Sequence, residues 1–183
     1  MIQPRCMPMT KNLSSKLSIL AVMAIVSIQS IAIAAPEPTE TETAQPTIAS
    51  LDAALKQNPQ DIDAHLQRGI LHAKLQQNIP AILDYTEVIR LDPSHALAYT
   101  NRAAAKLNMR DYRGAYLDYT QVIRLLPEKA ITYNNRAVAR HQLGDCKGAI
   151  ADLRISAELF RLQGDTSSYE RALNNLKVFQ RKR

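Results

Sequence analysis

Leu83-Asp84-Tyr85-Thr86-Glu87-Val88-Ile89-Arg90-Leu91-Asp92-Pro93 returns 34 residues later as Leu117-Asp118-Tyr119-Thr120-Gln121-Val122-Ile123-Arg124-Leu125-Leu126-Pro127. The copies differ only at Gln121 and Leu126. The same step back from Pro93 reaches Pro59. A fixed period of this length marks a chain of stacked units, none able to bury its apolar face alone.

Set in register by their final Pro, the units are 62–95, 96–129 and 130–163. Small residues recur at the eighth place (Gly69, Ala103, Ala137) and at the twentieth (Ala81, Ala115, Ala149). Bulky ones recur at the fourth (His65, Tyr99, Tyr133) and the twenty-fourth (Tyr85, Tyr119, Leu153). This pattern predicts two antiparallel helices per unit. Their backbones approach closely at the small residues, where a larger side chain overpacks at a cost of about 1–3 kcal/mol. The break between helices falls near places 14 to 17, with Asn78, Asp111 and Asp145 as expected N-caps of the second helix. Pro80 suits the first turn after Asn78, and Asp92-Pro93 and Leu126-Pro127 stop the second helix of the first two units.

These residues resemble the tetratricopeptide repeat (TPR) family. Its pattern has a large residue at four, Leu-Gly at seven and eight, Tyr at eleven, Ala at twenty, an aromatic at twenty-four, Ala at twenty-seven and Pro at thirty-two. The chain departs from it at seven, with Arg68, Arg102 and Arg136, and at eleven, with His72, Lys106 and Arg140. The resemblance implies an all-α helix-turn-helix solenoid of three full repeats. An extra N-terminal helix before Pro59, with Leu51, Ala54 and Leu55 on one face, and a C-terminal capping helix at about 166–181 extend the domain over 48–183. Ser167-x-x-Glu170 reads as the capping box of that last helix. Its apolar side is Tyr169, Ala172, Leu173, Leu176 and Phe179. A terminal unit needs such a face for its neighbour and a polar one for water.

Ahead of the repeats, Arg5, Lys11 and Lys16 precede an uncharged run from residue 17 to Ala35, closing on Ala32-Ile33-Ala34. This is the layout of a secretory signal peptide over residues 1–34, with cleavage expected after Ala34. The competing reading is an uncleaved anchor, since 19 residues of helix span about 28 Å. Residues 35–47 read as a flexible linker, with three prolines and, after Ala35, one apolar side chain, Ala44. If the leader is removed, Cys146 is the one remaining cysteine, and burial as a small core residue is expected.

The formal net charge is +6, but three of those charges lie in the leader. What remains is too balanced to drive nucleic-acid binding, and the basic end at Lys177, Arg181, Lys182 and Arg183 reads as a solvated terminus. No phosphate-cradling Gly-rich loop and no nucleophile elbow is present. His65 and His72 lie about 10.5 Å apart along one helix axis, too far to share a metal. Asp61 and Asp63 suit a helix start. No cofactor, metal site or catalytic residue is therefore expected.

The resemblance implies instead a concave groove lined by the first helices, at places two, five, six, nine, twelve and thirteen. Carried over, it holds Asp63, Leu66, Gln67, Ile70 and Lys74 in the first unit. The second gives Leu97, Thr100, Asn101, Ala104, Leu107 and Asn108. The third gives Ile131, Asn134, Asn135, Val138, His141 and Gln142. The family's best-known variant grips a C-terminal carboxylate with cations at places two, five and six. Here Leu66, Asn101, Ile131 and Asn135 stand there, so that ligand is not expected. The groove suits an apolar peptide or partner helix. The expected protein is a non-enzymatic scaffold or assembly factor, exported to the periplasm or another extracytoplasmic compartment. The alternative is a membrane-tethered adaptor.

Overall fold

Short helices with regular stops follow from the sequence, and the computed structural model has eight of them among its described residues, 45–181. They are α1 (Ile48–Gln57), α2 (Ile62–Lys74), α3 (Asn78–Leu91), α4 (Ala96–Asn108), α5 (Tyr112–Leu125), α6 (Ala130–Gln142), α7 (Cys146–Leu162) and α8 (Thr166–Arg181). The expected leader, its cleavage site, most of the linker, Cys6, Lys182 and Arg183 lie outside the described residues. Each helix packs on the next in the chain, and α2 also touches α4. The first helices α2, α4 and α6 begin 34 residues apart and are 13 residues long.

The core follows the small-and-bulky alternation. Gly69, Ala81, Ala103, Ala115, Ala137 and Ala149 are buried where paired helices approach, and Tyr85, Tyr119 and Leu153 fill the space beside them. A Cβ built on Gly69 would stand 2.7 Å from Cε1 of Tyr85. At place twenty-seven Val88 and Val122 are replaced by Ser156, whose hydroxyl donates to the Ala130 carbonyl at 2.9 Å. Leu51 and Leu55 of α1 bury against Ala64 of α2.

The turn inside each unit uses one device three times. Gln76, Arg110 and Gly144, all at place fifteen, have φ of 61°, 63° and 86°. The next N–H reaches back to the carbonyl of His72, Lys106 or Arg140, each at 2.9 Å. This is the Schellman closure, which satisfies the orphan carbonyls of a helix end.

Asp111 and Asp145 cap α5 and α7 as expected, accepting from the N–H of Gly114 and Gly148 at 2.9 and 2.8 Å. The first unit differs. Gln77 is the N-cap residue of α3, with no side-chain cap bond, and Asn78 is already helical. The cap of α8 is also displaced: Asp165, not Ser167, accepts from the Ser168 N–H at 2.9 Å. In both places the closing turn positions the chain, so the residue next to the Schellman position becomes the cap.

α3 and α5 have 14 residues and stop before Pro93 and Pro127. The third unit has Arg161 at the matching place, so α7 runs on to 17 residues and stops at Gly164, with φ of 74°. Cys146 opens α7 half-buried rather than in the core. A helix start presents its side chain at the rim of the packed layer, which is why burial does not follow from residue type alone.

Candidate binding groove

The first helices supply the lining because their exposed side faces away from the second helices. Between α2 and α4 lies an open cleft of about 500 Å³. Six of the sequence-assigned groove residues meet there: Ile70, Lys74, Leu97, Asn101, Ala104 and Asn108. Ala73, Asn78, Tyr85 and Ala105 complete the wall. The period signals Tyr85, at place twenty-four, and nothing in it signals Asn78, which reaches the cleft from the start of α3. The cleft is apolar along Ile70, Leu97 and Ala104. Asn78 and Asn108 stand at one end, their side chains 3.4 Å apart. Leu66 is half-buried on α2 and does not line this cleft.

The third unit is different. Ile131 and Asn134 line a separate cavity of about 100 Å³ together with Phe160, Ser168, Arg171, Ala172 and Asn175. The Asn175 amide of α8 donates to Asn134 Oδ1 at 3.1 Å. His141 is buried, its ring centroid 4.2 Å from that of Phe179. The capping helix therefore takes up part of the surface that the repeat register assigns to the groove. Asn135 and Val138 remain half-buried on α6, and Asn135 is a hydrogen-bond partner of the Tyr119 hydroxyl.

Among the described residues no group of three His, Cys, Asp or Glu side chains could hold a metal. No helix among them is long and apolar enough to cross a membrane. His65 lies between Asp84 Oδ1 at 3.2 Å and the Pro59 carbonyl at 3.0 Å, while His72 faces Gln77 Oε1 at 2.6 Å. The two histidines thus serve separate contacts within the unit.

Neither a protein-family model nor a curated protein matches the chain. Solved structures do. The TPR2B domain of yeast Sti1, in complex with pHsp70, aligns at a TM-score of 0.63 with 21% identity, over 67% of this chain and 98% of that one. The first TPR of Spaghetti (RPAP3), bound to the HSP90 peptide SRMEEVD, aligns at 0.59 with 24% identity, over 67% and 92%. The Arabidopsis OM64 TPR domain aligns at 0.56 with 28% identity, over 64% and 94%. The chain has the tetratricopeptide-repeat fold.

Within the TPR array, the departures at places seven and eleven have a common cause. Arg68, Arg102 and Arg136 each clasp an Asp of their own unit, Asp84, Asp118 and Asp152, through two guanidinium nitrogens, the shortest contacts being 2.6, 2.7 and 2.7 Å. Those Asp residues are buried. Place eleven adds a second cation: Lys106 at 2.8 Å from Asp118 and Arg140 at 3.3 Å from Asp152. His72 cannot play that part in the first unit, and His65 approaches Asp84 instead. The third guanidinium nitrogen crosses to the preceding second helix, reaching Asp52 at 2.7 Å, Thr86 at 3.1 Å and Thr120 at 3.4 Å. Each arginine therefore ties its own TPR unit together and ties it to the unit before. The bond to Asp84, and secondarily that to Asp52, raises the Arg68 pKa further above its ordinary value against the desolvation that opposes it. Sequence reading marked the arginines as departures and missed their acidic partners, although Asp84, Asp118 and Asp152 share the same 34-residue period.

Proposed function

We propose that this chain is a non-enzymatic interaction scaffold that holds a protein segment against its first helices. The observation that carries the reading is the open, mostly apolar cleft between α2 and α4, rimmed by amides. Apolar side chains with a few polar groups suit an extended peptide or one face of a partner helix. Two matched structures hold a partner, an HSP90 peptide on RPAP3 and pHsp70 on Sti1. This chain lacks cations at Leu66, Asn101, Ile131 and Asn135, so its segment differs in chemistry from one recognised by a carboxylate clamp. The proposed setting is the periplasm or another extracytoplasmic compartment, reached through the N-terminal leader.

Affinity capture with the wild type and with a Leu97→Asp/Ala104→Glu double variant tests the scaffold reading. Both positions are exposed, so the fold should tolerate the change. Loss of the captured partners supports the groove; survival of all of them ends it. A second reading rests on the uncharged run from residue 17 to Ala35. If it is retained as an anchor, the same groove works at a membrane surface. Sequencing the mature N-terminus separates the two, since a start at Met1 contradicts cleavage.

A further inference from the structure

The cleft between α2 and α4 has a charge character of its own. Lys74 is the one charged side chain among the described residues lining it. It is exposed in the last turn of α2 and makes no ion pair among the described residues. The neighbouring first-helix cations are committed elsewhere: Lys106 to Asp118, and Arg140 to Asp152. Beside Lys74 stand Asn78 and Asn108, whose mutual contact of 3.4 Å is too long to hold them firmly. Asn101, farther along the cleft, makes no side-chain hydrogen bond among the described residues. The wall between these polar groups is Ile70, Leu97 and Ala104.

We propose that this cleft binds an acidic-apolar peptide segment, with an aliphatic side chain against Ile70, Leu97 and Ala104 and an adjacent Asp or Glu carboxylate on Lys74. The proposal rests on the reading that the groove holds a protein segment, and it specifies that segment's chemistry. An aliphatic group is selected because the exposed part of the wall is aliphatic, Tyr85 being only 1% exposed behind it. A carboxylate is selected by an unpaired ammonium at the rim. It is a side-chain carboxylate and not a chain terminus, because a terminus is captured by converging N–H groups or several cations. One point charge serves a single side chain. Asn101 and Asn108 then bond the peptide backbone, which has both donors and acceptors for an amide.

The test uses the purified chain and short peptides with blocked ends. The first carries a leucine–glutamate pair flanked by glycine and serine. The others replace glutamate by glutamine, glutamate by lysine, or leucine by serine. Two-dimensional NMR reports the side-chain amides of Asn101 and Asn108, and titration gives affinities for wild type, Lys74→Gln and Lys74→Glu. The leucine–glutamate peptide is expected to shift both amides. Affinity should drop about fivefold with the glutamine peptide or with Lys74→Gln, the size of one rim charge pair. Lys74→Glu should reverse the preference toward the lysine peptide, a gain that misfolding cannot produce. Equal affinities across all four peptides and all three proteins, with both amides still shifting, overturn the acidic-apolar assignment and leave the groove reading standing. A fifth peptide, the leucine–glutamate sequence with its C-terminus left free, completes the set, and binding by that one alone also overturns it. If no peptide at millimolar concentration moves either amide, the assignment and the groove reading fall together.

Discussion

Arg102 and Asp118, 16 residues apart in sequence, face each other edge to edge: Nη2 lies 2.7 Å from Oδ1 and Nε 2.9 Å from Oδ2. Nη1 of the same arginine donates to Thr86 Oγ1, on the second helix of the preceding unit, at 3.1 Å. One side chain thus links three helices, and Arg68 and Arg136 repeat the arrangement. A paired, buried carboxylate adds little net stability compared with an apolar replacement of the pair, but removing one partner strands the other.

Asp118→Ala is therefore expected to cost about 3–5 kcal/mol, because it leaves Arg102 and Lys106 without their shared acid. Asp52→Ala, which removes a half-exposed partner of Arg68, is expected to cost less than about 1 kcal/mol. Urea unfolding of the two variants checks the contrast. Equal losses would mean that burial of the pair does not set its cost.

The turn inside each unit gives a second test. Gly144→Ala places a Cβ at φ of 86°, where nothing lies within 4 Å, so any loss reports backbone strain alone. The expected destabilisation is about 1 kcal/mol. Arg110→Gly at φ of 63° should move the other way, by about 0.5 kcal/mol after the added freedom of the unfolded chain is counted. Thermal or urea melts resolve both signs.

Helix starts supply a third. Asp145→Ala removes the acceptor of the Gly148 N–H and should cost about 1 kcal/mol. Gln77→Asp does not install the same cap in the first unit, because Pro80, which has no N–H, stands where Gly114 and Gly148 donate in the others. No gain is therefore expected, and the lost contact to His72 should leave that variant slightly less stable than the wild type. Urea midpoints of both variants check it.

Two tyrosines fix the alkaline behaviour. Burial, followed by the Asp84 charge, pushes the Tyr85 phenol up to about 12; burial and Asp118 do the same for Tyr119, with Asn135 acting against them. The folded pKa exceeds the unfolded value of about 10, so the folded state favours the neutral phenol. Stability from these groups is complete below pH 10 and declines as the pH rises from about 10 to 12. Ultraviolet titration should show two tyrosines ionising late, and Tyr119→Phe should remove one of them.

The repeat architecture was legible because close packing repeats. Gly69, Ala103 and Ala137 opposite Tyr85, Tyr119 and Leu153 announce paired helices, and the Pro residues announce where they stop. Four things were less legible. The arginine–aspartate pairs join residues on different helices, so neither partner signals the other locally. The caps at Gln77 and Asp165 depend on a left-handed turn residue that sequence does not mark when it is Gln76. The length of α7 follows from an absent Pro at Arg161. The contacts of Asn134 with Asn175 and of His141 with Phe179 depend on how α8 seats on the array, which the period of the units does not encode.

The most direct test of the groove is a photo-crosslinking residue placed at position 104, inside the cleft, and for comparison at position 117, exposed on α5. Irradiation in the cells that produce the protein, followed by mass spectrometry, should give a discrete protein adduct from position 104 and none from position 117. Adducts from position 117 alone, or from neither position while the partner still co-purifies, would contradict binding in the cleft between α2 and α4.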